Sequence, residues 1–238
     1  IAASTEDKLT ASGGAADDYF GYSVSGAGDV DGDGNADLVI GAYADDDDGS
    51  ASGSAYVYHG SSAGIDPSTE EKLTASDGAA ADALGFIVAG AGDVDGDGND
   101  NLIIGAYGDD DNGSSSGSAY VYSPGSRMLS SDGEASDYFG YSVAGAGDVD
   151  SDGYDDLVIG AWGDDDNGSA SGSAYVYYGS ATGIDVNSED KLTASDGAAN
   201  DAFGASVAGA GDVNGDGYDD VVVGAYGDDD NESASGSA

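Results

Sequence analysis

The chain contains no cysteine, one histidine, one methionine, one tryptophan, two prolines and four basic side chains in 238 residues. Without cysteine there is neither a disulfide framework nor a thiolate metal site, so the sequence carries no mark of a redox compartment. The scarcity of cations against 48 acidic residues leaves a formal net charge of -44. A surface of that sign repels phosphate backbones and anionic lipid headgroups, which argues against nucleic-acid and membrane-surface binding. No run approaches the roughly 20 apolar residues that a membrane-spanning helix requires, so no direct membrane insertion is expected. The chain opens at Ile1 with neither a methionine nor a basic and apolar leader, and reads as a processed or excerpted chain. Catalysis finds little to work with: there is no thiol nucleophile, His59 does not recur, and the serines lie in Gly/Ala-rich loops without a base. Carboxylate pairs of the kind used in glycoside hydrolysis are plentiful, but they recur in every repeat rather than once, so an enzyme is not expected.

What is present is repetition. An aspartate-rich loop occurs four times, as DVDGDGNAD, DVDGDGNDN, DVDSDGYDD and DVNGDGYDD, starting at Asp29, Asp93, Asp148 and Asp212. The spacing suits one small supersecondary unit per repeat. It is uneven at one connection, where Tyr122 to Arg127 is shorter than its counterparts Tyr58 to Lys72 and Tyr177 to Lys191. Each repeat reads as four strands. The first is Phe20 to Asp29 or its equivalents from Leu84, Phe139 and Phe203. The second is a β-branched run from Asp37, Asn101, Asp156 or Asp220, and the third is SAYVY from Ser54, Ser118 or Ser173. The fourth is KLTAS, or RMLSS in the second repeat. With 43 glycines and no helical periodicity, this predicts an all-β fold, a β-propeller of four-stranded antiparallel blades, because each sheet can cover its apolar faces only with its neighbours. The expected organisation is one propeller region over residues 1–238, with repeats at about 13–76, 77–131, 132–195 and 196–238. Residues 1–12 read as a fourth-type strand that would complete the last blade if the ring closed on itself; because that closure is incomplete, the chain reads either as part of a larger propeller or as a unit whose open blade accepts a strand from a neighbouring chain.

The loops have the donors of a hard-cation site: side-chain oxygens at the first, third, fifth and ninth places and a backbone carbonyl at the seventh. Calcium, with six to eight oxygen ligands in flexible geometry, suits this set better than magnesium or zinc. Glycine at the sixth place lets the backbone fold the later donors back. Loop one would use Asp29, Asp31, Asp33 and Asp37 with the carbonyl of Asn35, and loop three Asp148, Asp150, Asp152 and Asp156 with that of Tyr154. Loop two offers Asp93, Asp95, Asp97, the carbonyl of Asn99, and Asn101. Loop four offers Asp212, Asn214, Asp216, the carbonyl of Tyr218, and Asp220. The expectation is about four calcium ions, one per repeat, bound more weakly where Asn101 and Asn214 replace a carboxylate.

The combination of FG, GDVDGDG, DLVIGA and YVY resembles the FG-GAP repeats of integrin α-subunit propellers and their bacterial relatives. That resemblance implies a propeller with calcium loops joining the first and second strands of each blade. It further implies a secreted or cell-surface location and a role in adhesion or scaffolding, with an extracellular protein or glycan, or copies of itself, as partner. The sequence departs from the family pattern at Leu84, which replaces the phenylalanine of FG, and at Tyr43, Tyr107, Trp162 and Tyr226, which replace the proline of GAP. It shows four repeats where the family usually has seven.

Other features recur in register. A second acidic run (Asp45 to Asp48, Asp109 to Asp111, Asp164 to Asp166, Asp228 to Asp230) reads as a solvated hairpin loop, with a second cation site as the alternative. Asn112, Asn167 and Asn231 head N-x-Ser triplets that would be glycan acceptors where the machinery exists. Lys8, Lys72, Arg127 and Lys191 stand at one fixed distance before the following loop, which predicts an ion pair with an adjacent strand or blade. His59 reads as a surface residue, and the tyrosines as core or inter-blade packing rather than a carbohydrate platform.

Overall fold

The computed structural model describes residues 8–122, 126–128 (as backbone), 133–229 and 235–238. Blade one is a four-stranded antiparallel sheet of β1 (Val24–Gly28), β2 (Asp37–Ala42), β3 (Ser54–Tyr58) and β4 (Glu71–Leu73). Blade two repeats it with β5 (Ile87–Gly92), β6 (Asn101–Ala106), β7 (Ser118–Tyr122) and β8 (Ser126–Met128). Blade three has β9 (Ser142–Gly147), β10 (Asp156–Ala161), β11 (Ser173–Tyr177) and β12 (Glu189–Leu192). Among the described residues blade four pairs β13 (Phe203–Gly211) with β14 (Asp220–Ala225), and Ser237 adds one antiparallel bridge to Ala225. This is an open β-propeller whose blades follow the order of the chain.

The second strand of a blade is apolar on both faces because both faces are covered. Leu102 and Ile104 face blade one, where they meet Val39, Ala55 and Val57; Ile103, one residue between them, faces blade three beside Leu157 and Ile159. Val158 and Val176 meet Val207 and Val223 of blade four in the same way. Glycine makes the close stacking possible. A Cβ on Gly105 would collide with the carbonyl of Gly140, and one on Gly160 with that of Gly204.

The FG dipeptides are turns that precede the strand instead of beginning it, except in blade four. In blade one, positive φ at Tyr19 and Gly21 swings the chain so that the Phe20 ring packs edge-on to Tyr56 and Tyr58 before β1 starts at Val24. Phe139 does the same over Tyr175 and Tyr177. A parallel bridge then ties this segment of blades two, three and four to the blade before it: Gly53 with Leu84, Gly117 with Phe139 and Gly172 with Phe203.

Residues 8–12 form no strand, and they lie against blade one. Leu9 and Ala11 cover Ile40, Ala42, Tyr56 and Tyr58. The Tyr58 hydroxyl donates to the Thr10 carbonyl at 3.2 Å, and the Ser12 amide donates to the Glu70 carboxylate. Leu73 and Ala75, which follow β3, cover blade two in the same way. The segment therefore stands where the fourth strand of a preceding blade would stand. Its pairing with the last blade, expected from the sequence, is not formed among the described residues.

Candidate metal centres

Each acidic loop joins the first strand of its blade to the second. A bulge at the end of the first strand, with Gly28, Gly92 and Gly147 at positive φ, turns the first aspartate out of the sheet. That aspartate then organises the loop. In loop one its two carboxylate oxygens accept the amides of Asp33 (3.0 Å) and Gly34 (2.8 Å), and Asp93, Asp148 and Asp212 accept the corresponding amides in their own loops. The fifth residue accepts the amide two places on, as Asp33 does from Asn35.

The ninth residue is a buried strut. Asp37 and Asp156 accept the second-place amide on one oxygen (Val30, 2.9 Å; Val149, 2.7 Å) and an amide after the third strand on the other (Gly60, 2.7 Å; Gly179, 2.8 Å). Asn101 meets the first of these needs with its side-chain carbonyl, accepting from Val94 at 2.9 Å, which accounts for the tolerance of an amide at that place.

The carboxylates converge as the spacing predicts. Ligand atoms of Asp29, Asp31 and Asp33 lie within 4.8 Å of one another, as do those of Asp93, Asp95 and Asp97 and those of Asp148, Asp150 and Asp156. Loop four, with Asn214 third, shows no such group of three acids among the described residues, although Asn214 accepts the Asp216 amide at 2.9 Å just as Asp31, Asp95 and Asp150 accept the fifth-place amide in their own loops. Electrostatics in loop three are unfavourable without a counter-ion. Burial pushes the Asp156 carboxyl up to about 6, its two backbone amides offset this in part, and Asp150 and Asp148 push it further. Asp150 is raised by burial and by Asp152 and Asp148. An oxygen-only set of crowded carboxylates fits a hard divalent cation.

Three residues left out of the sequence reading link the loops. Asp100, at the eighth place of loop two, accepts the Asp29 amide at 2.8 Å and donates its own amide to the Asp29 carbonyl at 2.9 Å. Asp155 clips Asp93 in the same way, and Asp219 clips Asp148. The clip needs glycine opposite, because a Cβ on Gly28, Gly92 or Gly147 would collide with the clipping carboxylate. The signal was legible as Asp100, Asp155 and Asp219 in three loops against Ala36 in the first.

His59 is no simple surface residue. Its Nδ1 lies 3.2 Å from Asp37 Oδ2 and 3.6 Å from Asp31 Oδ2, so loop one has an imidazole at its rim. The second acidic runs also differ from a solvated hairpin at their first residue, since Asp45, Asp109, Asp164 and Asp228 are buried. Asp45 accepts the Tyr56 hydroxyl at 2.9 Å and the Lys72 ammonium at 2.8 Å, and Lys191 lies 2.8 Å from Asp164. Lys72 and Lys191 are thus paired with the loop between the second and third strands of their own blade; the Arg127 side chain, Asn231 and Asp230 lie outside the described residues. The aromatic residues pack between blades, with Tyr43 against Phe86 and Tyr107 against Tyr141.

Fold and loops together define a propeller of acidic-loop repeats. A family model described as FG-GAP repeat matches residues 4–58, 67–122, 125–177 and 186–238. The chain belongs to the FG-GAP repeat family. It is 32% identical over 233 residues to integrin alpha-5 of Xenopus laevis and 33% identical over 225 residues to integrin alpha-V of Gallus gallus. In each case the match covers 89% of this chain and 20% of the relative. It is 43% identical over 91 residues to integrin alpha pat-2 of Caenorhabditis briggsae, across 37% of this chain and 7% of that protein. The chain thus spans about a fifth of the length of the first two relatives. No helix among the described residues is long and apolar enough to cross a membrane.

Proposed function

We propose that the four loops bind calcium, one ion per blade, and that the ions hold together a secreted or cell-surface module whose work is adhesion, through a protein or glycan partner. The observation that carries this reading is the convergence of carboxylates in loops one to three, whose first residue is also clipped to the next blade; loop four is included on its matching donor spacing. A cation that fixes the first aspartate also fixes the joint between blades, so binding is coupled to folding. Loops one and three, with four carboxylates, would bind most tightly, and loops two and four more weakly. The integrin relatives support the adhesive role.

Calorimetric titration and thermal melting with and without chelator test the reading. A loop held at about 100 times its Kd gains about 2.7 kcal/mol, so emptying four loops lowers Tm by more than about 10 °C. Calcium restores it, magnesium does not, and Asp148→Asn removes one high-affinity equivalent. A melting curve indifferent to chelator would sink the proposal.

A further inference from the structure

Blade one carries the single histidine of the chain, and its ring reaches two carboxylates of loop one. His59 follows β3, in the turn that leads to Gly60. The Gly60 amide holds Asp37 Oδ1 at 2.7 Å and the Val30 amide holds Asp37 Oδ2 at 2.9 Å, so this buried carboxylate is fixed in place by the backbone. The His59 backbone is pinned in turn, its amide donating to Thr69 Oγ1 at 3.0 Å. From this anchored turn the ring brings Nδ1 to 3.2 Å from Asp37 Oδ2 and 3.6 Å from Asp31 Oδ2. Ligand atoms of Asp31, Asp37 and His59 all lie within 4.8 Å of one another.

Hydrogen bonding accounts for only half of this arrangement. One proton on Nδ1 serves the contact to Asp37, whereas 3.6 Å to Asp31 exceeds hydrogen-bond length. Ligands of one zinc-sized cation, each about 2.0–2.2 Å from it, stand about 3–3.5 Å apart, so a small inward movement of Asp31 completes a set of three. Asp31 divides its two oxygens. Oδ1 accepts the Asp33 amide at 3.1 Å inside the loop, and Oδ2 faces the imidazole. Asp31 therefore belongs both to the acidic group with Asp29 and Asp33 and to the mixed group with Asp37 and His59. Loop three supplies the comparison within the same chain. It has carboxylates at the same four places, and the Gly179 amide holds Asp156 as Gly60 holds Asp37. At the place of His59, however, it has Tyr178, which turns its hydroxyl to Asp190 at 2.7 Å.

We infer that Asp31 Oδ2, Asp37 Oδ2 and His59 Nδ1 form a mixed nitrogen and oxygen site at the rim of loop one that takes a divalent transition cation of the zinc type. Nitrogen is what changes the preference. Imidazole suits zinc, nickel and copper, whereas calcium and magnesium favour oxygen alone. The site is closed on one side and open on the other, with side-chain exposure of 0% at Asp37, 19% at His59 and 38% at Asp31. The open side admits the cation and leaves room for water to complete its coordination, as in zinc sites with three protein ligands. The site shares Asp31 and Asp37 with the donor set proposed for calcium in loop one, but it stands on the imidazole, which the other described loops lack, and does not depend on calcium being bound.

Titration of the intact chain with zinc chloride in saturating calcium is the test, read by calorimetry and by the ring-nitrogen resonances of the single histidine. One zinc equivalent is expected, with the Nδ1 resonance shifted far more than that of Nε2. His59→Ala weakens this equivalent by more than about 100-fold, beyond what loss of a merely supporting partner causes, and leaves the calcium titration unchanged. Tyr178→His gives loop three the nitrogen it lacks and adds a second equivalent. Zinc that fails to bind, that binds His59→Ala as tightly as the parent chain, or that leaves the histidine nitrogens unmoved overturns the inference. The two metal readings fail separately: a chain that takes calcium but no zinc equivalent sinks this site alone, and one that takes zinc at His59 but no calcium sinks only the calcium reading.

Discussion

Single side chains decide whether neighbouring loops hold one another. Asp100 joins blades through a charge-assisted hydrogen bond to the Asp29 amide, and Asp100→Ala leaves that amide without its partner. The expected loss is about 1.5–3 kcal/mol, read as a fall in the urea midpoint with unchanged slope. Asp82 carries a pH dependence. Burial, with Asp109, Asp110 and Asp111 nearby, pushes its carboxyl up to about 6. The folded protein therefore binds that proton more tightly than the unfolded chain, whose aspartates titrate near about 4. Its contribution to stability rises as pH falls from about 6 towards 4. Asp82→Asn keeps an acceptor for the Ala79 amide, removes the buried charge, and is expected to stabilise the chain at pH 7 while flattening this rise. Melting curves at pH 5 and 7 in chelator check both parts. At this scale the convergence of aspartates in the first three loops was legible from spacing alone, since donors placed two residues apart in a tight turn meet on one side of it. The clip was not, because its partner is a backbone amide of another repeat, and no local pattern announces a contact that far along the chain.

At the level of strands and turns, β-branched runs between glycines located every second strand, and SAYVY every third strand. The FG segments differed because phenylalanine seats in the blade's own outer sheet only if the chain turns first, a demand of packing that β-propensity does not encode. The strand glycines offer a direct comparison. Gly90→Ala drives a Cβ against Gly26 and is expected to cost about 1–3 kcal/mol, whereas Gly26→Ala meets open space and is expected to be neutral or to stabilise the isolated chain by up to about 1 kcal/mol. Equal losses in chemical denaturation would contradict the close-approach account. The fixed register of Lys72 and Lys191 was legible for the same reason as the loops, since a repeated fold repeats its ion pairs.

Across the whole molecule, the repeat count and the order of blades followed from the sequence, because in a propeller each unit touches only its neighbours and chain order becomes spatial order. The packing of one blade face on the next could not be read that way, since a face has no sequence of its own and shows itself only once strands are placed. The clips give this architecture a direction. Among the described residues loop one is clipped by Asp100, loop two by Asp155 and loop three by Asp219, and loop four is tied back to loop three by the Asp219 amide and by the Ser151 hydroxyl, which donates to the Gly217 carbonyl at 2.6 Å. Amide exchange in chelator is therefore expected to be slow at Asp29, Asp93 and Asp148, and Asp100→Ala to speed it at Asp29 while leaving Asp93 and Asp148 unchanged; equal acceleration at all three would contradict it. A row of clasps, each shutting only the one before it, fails link by link, so a lesion in one repeat stays confined to a single joint.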